Sequence, residues 1–154
     1  MAVYFFDSSA VVKRYIIETG TTWIVGIVDP MANNRIYIAR ITAVEVVSAI
    51  TRRVRNGSIS ISDGSAAIAK FRRDLTNIYS SIDIAPLIVA AAMQLAETHA
   101  LRGYDAVQLA TAIDVNTQWV NLGMPALTLV SADADLNAAA ATEGLSIEDP
   151  NDHP

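Results

Sequence analysis

The fold class predicted by this chain is α/β: a three-layer α/β/α sandwich whose central parallel sheet has four or five strands. Three observations carry that reading. Short apolar runs of strand length alternate along the chain with stretches of helical period. The helix expected from Asp105 onward is nearly uncharged, as suits an element packed between a sheet and its neighbours. Asp7 and Asp133 each stand just past a strand candidate where a helix begins, the place at which open parallel sheets build their sites.

The elements follow in order. Residues 3–6 form the first strand, and 8–17 read as a helix. Gly20 punctuates the chain ahead of a short helix over 21–28, which stops before Pro30. A second strand is expected at 36–38. The helix over 42–55 has a clear apolar period and is closed by Asn56-Gly57. Ser62-x-x-Ser65 opens a further helix to about residue 79, and 82–85 is the third strand candidate. Pro86 suits the first turn of the helix over 87–99, where its missing N–H costs nothing. Then come the helix from Asp105 to about Val120, a strand at 127–130, a helix at 133–142 and a last strand at 145–147. No repeat, low-complexity stretch or linker divides the chain, so residues 1–150 read as one domain and 151–154 as a frayed tail.

Composition narrows the function classes. The chain has 154 residues, 52% hydrophobic and only 18% charged, which predicts a face covered by a second copy or a partner. Without cysteine, disulfides and thiolate metal sites are excluded. The N-terminus does not read as a signal peptide, and the apolar stretch 84–94 falls far short of the ~20 residues a membrane span needs. The expectation is a cytoplasmic protein with no membrane contact. Net charge is −5, yet eight of the eleven Lys and Arg fall between Arg35 and Arg73, and six acids with no Lys or Arg follow from Asp133. A basic rim beside an acidic site fits that asymmetry, as does plain solvation of two helices.

Four acidic positions are the candidates for chemistry. Asp7 lies between an apolar strand and Ser8-Ser9, and taken alone it is most simply a helix N-cap. Ser9 is placed either to cap or to hold an Asp7 oxygen. Glu45 shares a helix face with Ser48 and Arg52, opposite the stripe Ala43, Val47, Ile50 and Val54. That face either meets solvent or overhangs a cleft. Asp105-x-x-Gln108 is a capping-box pattern, but the apolar turns that follow put it deep in the protein, where an Asp must be paired, hydrogen-bonded or metal-bound. Asp133 and Asp135 stand beyond the fourth strand, with Ser131 ahead of them to orient a carboxylate or water. Their i, i+2 spacing ranks Asp133 above Asp135 as a ligand.

Jointly, Asp7-Ser8-Ser9-Ala10, Glu45-Val46-Val47-Ser48-Ala49, the run from Gly103 to Ala112 and Ser131-Ala132-Asp133-Ala134-Asp135-Leu136 resemble the four acidic motifs of PIN-domain ribonucleases, most of all the VapC-type toxins of toxin–antitoxin pairs. The resemblance covers nearly the whole chain, and its third block is the most specific. It implies a Mg²⁺- or Mn²⁺-dependent endoribonuclease, a homodimer and a small cognate antitoxin, VapB-like. Carried over, the metal ligands are Asp7, Glu45, Asp105 and Asp133, with Ser131 at the family's Thr or Ser position. The family often has an acid followed by Phe where this chain has Asp135-Leu136, which leaves the roles of Asp133 and Asp135 open.

The chemistry of such a set is consistent with that implication. Gathered carboxylates cannot all stay ionised without a cation, and hard oxygen donors favour Mg²⁺ or Mn²⁺ over zinc. His99 and His153 have no paired spacing and offer no obvious general base. Arg52, Arg53 and Arg55, on the helix that carries Glu45, are the candidates for holding an RNA backbone. Rival enzyme classes are poorly served: Ser9 stands where a haloacid-dehalogenase-like phosphatase needs a second Asp, and no Gly-x-Gly-x-x-Gly follows the first strand. The non-enzyme alternative is a PIN-like scaffold that binds RNA or a partner protein without cutting.

Overall fold

The computed structural model describes residues 1–154. Five strands, β1 (Val3–Phe6), β2 (Arg35–Ala39), β3 (Tyr79–Ile82), β4 (Thr128–Val130) and β5 (Ser146–Glu148), pair in parallel throughout, in the order β3-β2-β1-β4-β5. Seven helices flank them: α1 (Ser8–Val12), α2 (Thr21–Ile27), α3 (Thr42–Arg55), α4 (Ile61–Asn77), α5 (Pro86–His99), α6 (Gly103–Asn121) and α7 (Ala134–Thr142). The three-layer α/β/α architecture is the one predicted, with five strands.

Alternation along the strands divides the interior in two, because successive side chains leave a strand on opposite faces. Phe5, Ala39 and Leu129 point to a core shared with Ile88 and Leu95 of α5, Leu109 and Ala112 of α6, and Leu136 of α7. Phe6, Ile36, Ile38 and Val130 point the other way, onto Val11, Ile24, Val46, Ile50 and Phe71 from α1 to α4. Both faces of the sheet are therefore buried at its centre, which is why β1 reads as an unbroken apolar run, while the edge strands β3 and β5 carry polar residues. Strand order reverses at β1, with β2 on one side and β4 on the other. The crevice at the carboxyl ends of β1 and β4 is the expected place for a site.

Several boundaries differ from the sequence expectation. The first helix stops at Val12 rather than residue 17, because the Thr21 hydroxyl donates to the Lys13 carbonyl (2.8 Å) and Lys13 Nζ to the Thr19 carbonyl (2.8 Å), folding the chain back on itself. α4 opens at Ile61, capped by the Ser60 hydroxyl on the Asp63 N–H (3.0 Å). β3 occupies Tyr79–Ile82, where buried Tyr79 pairs with Ile36, and not 82–85. The buried face of α3 centres on Thr42, Val46 and Ile50, which turns Glu45 to the flank of the core instead of opposite it.

The C-terminal residues, expected to fray, are held. Pro150–Asp152 form a 3₁₀ turn, Asn151 Oδ1 accepts from Lys13 Nζ (2.9 Å), and the His153 ring stacks on Trp23 with centroids 4.0 Å apart. Gly20 makes this possible: its φ is +86°, and a Cβ there would run into the Pro150 carbonyl.

Candidate functional site

Asp7 ends β1 and caps α1, and both roles follow from position. Its backbone is extended, and Oδ1 accepts from the Ala10 N–H (3.1 Å) and the Ser9 hydroxyl (2.6 Å). The same Ser9 oxygen accepts from the Ala132 N–H (2.8 Å), so one hydroxyl ties the ends of β1 and β4 together. Asp7 is only 3% exposed. Burial pushes its carboxyl up to about 7, with Glu45 adding to the rise while Ser9, the Ala10 N–H and Ser131 partly offset it.

Glu45 projects from the first turn of α3 toward the same crevice. Its Oε1 accepts from Gln108 Nε2 (2.7 Å) and its Oε2 from the Ser8 hydroxyl (3.2 Å). Burial raises its carboxyl above the usual range; the two donors lower it and Asp105 raises it again. Asp105 is not the cap of α6. The helix begins two residues earlier, after Arg102, which leaves Asp105 in the first turn, where the helix dipole favours a negative charge. The capping-box pairing with Gln108 is absent, since Gln108 reaches across to α3. The Asp105 carboxyl is raised by burial and then by Asp133, eased by Arg102, and raised further by Asp135.

Asp133 caps α7, its Oδ1 accepting from the Leu136 N–H (2.9 Å), while its own N–H donates to the buried Ser131 hydroxyl (3.0 Å). Ser131 is anchored in turn by Asn137, whose Nδ2 donates to its carbonyl (2.8 Å). Asp135 is exposed on α7 and opens onto a separate groove beside His99. Each carboxylate thus acts on the next: Glu45 on Asp7, Asp105 on Glu45, Asp133 and Asp135 on Asp105. Arg102 is the one cation among the causes of these three shifts. No three of the carboxylates stand close enough to bracket a single ion in this arrangement.

A cleft of about 350 Å³ opens over Glu45 and Asp105, lined also by Ser8, Arg52, Arg102 and Tyr104. A second of about 260 Å³ adjoins it along Ser8, Ser9, Lys13, Arg52 and Arg53. Of the three arginines singled out in α3, Arg52 is exposed at the rim of both clefts and Arg55 is exposed at the helix end. Arg53 borders only the second cleft, where its guanidinium is paired 2.9 Å from Glu18. Sequence reasoning passed over Ser8, Thr42, Asn137 and Arg102, and read Gln108 only as a capping partner of Asp105. Arg102 alone carried a local signal, a cation three residues ahead of Asp105.

The PIN domain family matches residues 4–141. Ribonuclease VapC45 of Mycobacterium tuberculosis is 29% identical over 150 residues, which span 96% of this chain and 95% of that protein. Among solved structures, PAE2754 from Pyrobaculum aerophilum superposes with a TM-score of 0.66 at 18% identity, covering 98% of this chain and 85% of that one. VapBC2 from Rickettsia felis, bound to a DNA fragment from its promoter, gives 0.62 at 16% identity over 96% and 98%. The chain belongs to the PIN-domain family.

Proposed function

Taking that membership as premise, we propose that the chain is the toxin of a toxin–antitoxin pair: a Mg²⁺- or Mn²⁺-dependent endoribonuclease that hydrolyses RNA phosphodiester bonds. The relative named as a ribonuclease supports the reaction class, and the named VapBC2 complex supports a small VapB-like antitoxin as partner. The observation that carries the reading is the line of carboxylates at the carboxyl end of the sheet, of which Asp7, Glu45 and Asp105 are each pushed up by burial and by a neighbouring acid, with Arg102 the one cation easing them.

In chemistry, though not in its present spacing, the donor set fits a divalent cation. Its donors are all carboxylate oxygens, hard ligands of the kind Mg²⁺ and Mn²⁺ take, and their mutual repulsion is the repulsion such an ion relieves. Asp7, Glu45, Asp105 and Asp133 would hold it, with Asp135 in reserve on α7. Such an ion would supply Lewis-acid activation of water and charge stabilisation at the phosphate. The chain's own residues do the rest. Ser9 and Ser131 hold Asp7 and the Asp133 backbone in place. The hydrogen bonds to Asp7 and Asp133 fall on Oδ1 of each. Arg52 and Arg102, at the cleft edge, draw the RNA backbone over an otherwise negative centre.

Self-association is part of the proposal. Leu87 and Met93, 83% and 69% exposed, project from α5 and give a homodimer its apolar face. No helix is long and apolar enough to cross a membrane, in keeping with a cytoplasmic toxin. The deciding experiment is expression: the chain arrests growth, its Asp7→Asn version does not, and co-expression of the antitoxin restores growth. Equal toxicity of the two versions, or none from either, overturns the toxin reading. Titration calorimetry with Mn²⁺ separates enzyme from scaffold, since a PIN-like scaffold that only binds RNA or protein shows no binding above the millimolar range.

A further inference from the structure

Gln108 looked from sequence like the capping partner of Asp105, and the structure gives it different work. Its Nε2 donates both hydrogens across to α3, one to Glu45 Oε1 (2.7 Å) and one to Thr42 Oγ1 (2.8 Å). The residue is 1% exposed, and its Oε1 is buried with no partner. Turning the amide over would set that oxygen against the Glu45 carboxylate, so charge fixes which way it faces.

A glutamine stranded in this way is a poor choice for packing alone. An unbranched apolar side chain would fill the same volume and carry no stranded acceptor of its own, at the cost of the donor to Thr42 Oγ1 and Glu45 Oε1. What the amide supplies and an apolar chain does not is a hydrogen bond to one oxygen of Glu45, while Ser8 holds the other (3.2 Å). Both donors are neutral. They fix the carboxylate without cancelling its charge, as a Lys or Arg in the same place would. Gln108 also lies one helical turn beyond Asp105, so α6 both carries one carboxylate of the site and grips a second.

We propose that Gln108 is a positioning residue: its Thr42-anchored amide orients the Glu45 carboxylate for divalent-cation binding. The inference rests on the metal-site reading above. Its test is Mn²⁺ calorimetry on the full chain with Gln108→Met, Glu45→Ala and the double variant. Gln108→Met is expected to weaken Mn²⁺ binding about tenfold or more. The melting temperature of the metal-free variant should fall only modestly, since the loss of the donor to Thr42 and Glu45 is partly offset by removal of the stranded acceptor. In the Glu45→Ala background the same change should cost nothing further. Wild-type affinity in Gln108→Met, or an equal extra loss in both backgrounds, overturns the proposal. Should Gln108→Met fail to fold, ¹⁵N-labelled wild-type protein decides instead. Mg²⁺ is expected to shift the Gln108 side-chain amide pair, and a pair unmoved at saturation overturns the assignment. A wild-type chain that binds no Mn²⁺ at all is a different result: it removes the metal site itself, and this inference with it.

Discussion

Two groups of charges lie at opposite ends of α1, and they are built on opposite plans. Beyond its C-terminal end, buried Lys13 meets the Thr19 carbonyl, Asn151 and Glu18, and Glu18 in turn holds Arg53. Every charge there has an opposite partner, and the group fastens the C-terminal turn and α3 to the α1–α2 connection. Before its N-terminal end, Asp7 begins a line of acids in which Glu45 raises the pKa of Asp7, Asp105 that of Glu45, and Asp133 and Asp135 that of Asp105, with Arg102 the one cation in relief. Buried charges serving only stability are neutralised where they stand. A series left uncompensated inside a fold marks a place where something charged is meant to arrive.

The sharpest way to break this contrast is at the acids. Asp105→Asn and Asp7→Asn are each expected to lower Mg²⁺-dependent RNA cleavage by about 10³-fold or more, since each removes a ligand of an ion worth several kcal/mol to the transition state. Cleavage that survives both changes would mean the acids are not the site. At the paired end the loss should be of stability: Lys13→Met strands the Thr19 carbonyl and Asn151 Oδ1 and leaves Glu18 to Arg53 alone, at a cost of about 3 kcal/mol in urea unfolding. A stability unchanged within error would show that the balanced group fastens nothing.

Asp7 offers a third and smaller effect, of opposite sign. Its carboxyl rises on folding from 3.8 to about 7, so the folded state keeps a proton that the unfolded chain has released. The stability linked to it is full below about pH 4 and is lost as the pH climbs through about 7. The metal-free protein should therefore melt higher at pH 5.5 than at pH 8. Asp7→Asn should flatten that dependence and stabilise the metal-free protein at pH 8 by on the order of 2 kcal/mol. A wild-type melting temperature that climbs steadily from pH 5.5 to 8 would contradict the burial of Asp7.

The smallest contrast lies within one helix. Arg52→Ala is expected to weaken RNA binding several-fold with no change in melting temperature, and to reduce its salt dependence. Arg53→Ala should do the reverse, costing at most about 1 kcal/mol of stability with RNA affinity kept. Identical effects of the two changes on RNA binding would place both side chains at the cleft.

Much of this molecule was legible before folding. Short apolar runs and helical period pointed to a parallel sheet of four or five strands covered on both faces, because those patterns are local properties of the chain. The caps at Asp7 and Asp133 were readable for the same reason: a cap bonds to an N–H three residues away. Contacts between distant segments left no such trace. Nothing in the order of residues shows that Gln108 passes over Asp105 to hold Glu45, 63 positions away, or that Asn151 closes on Lys13, 138 positions away. Nor does it show that neighbouring Arg52 and Arg53 part company, one to the cleft and one to Glu18. Sequence by itself determined which residues carry charge and the order in which helices and strands alternate. Only the tertiary structure decided which charges were matched and which left facing one another, since that depends on desolvation and on distances set by packing across the sheet.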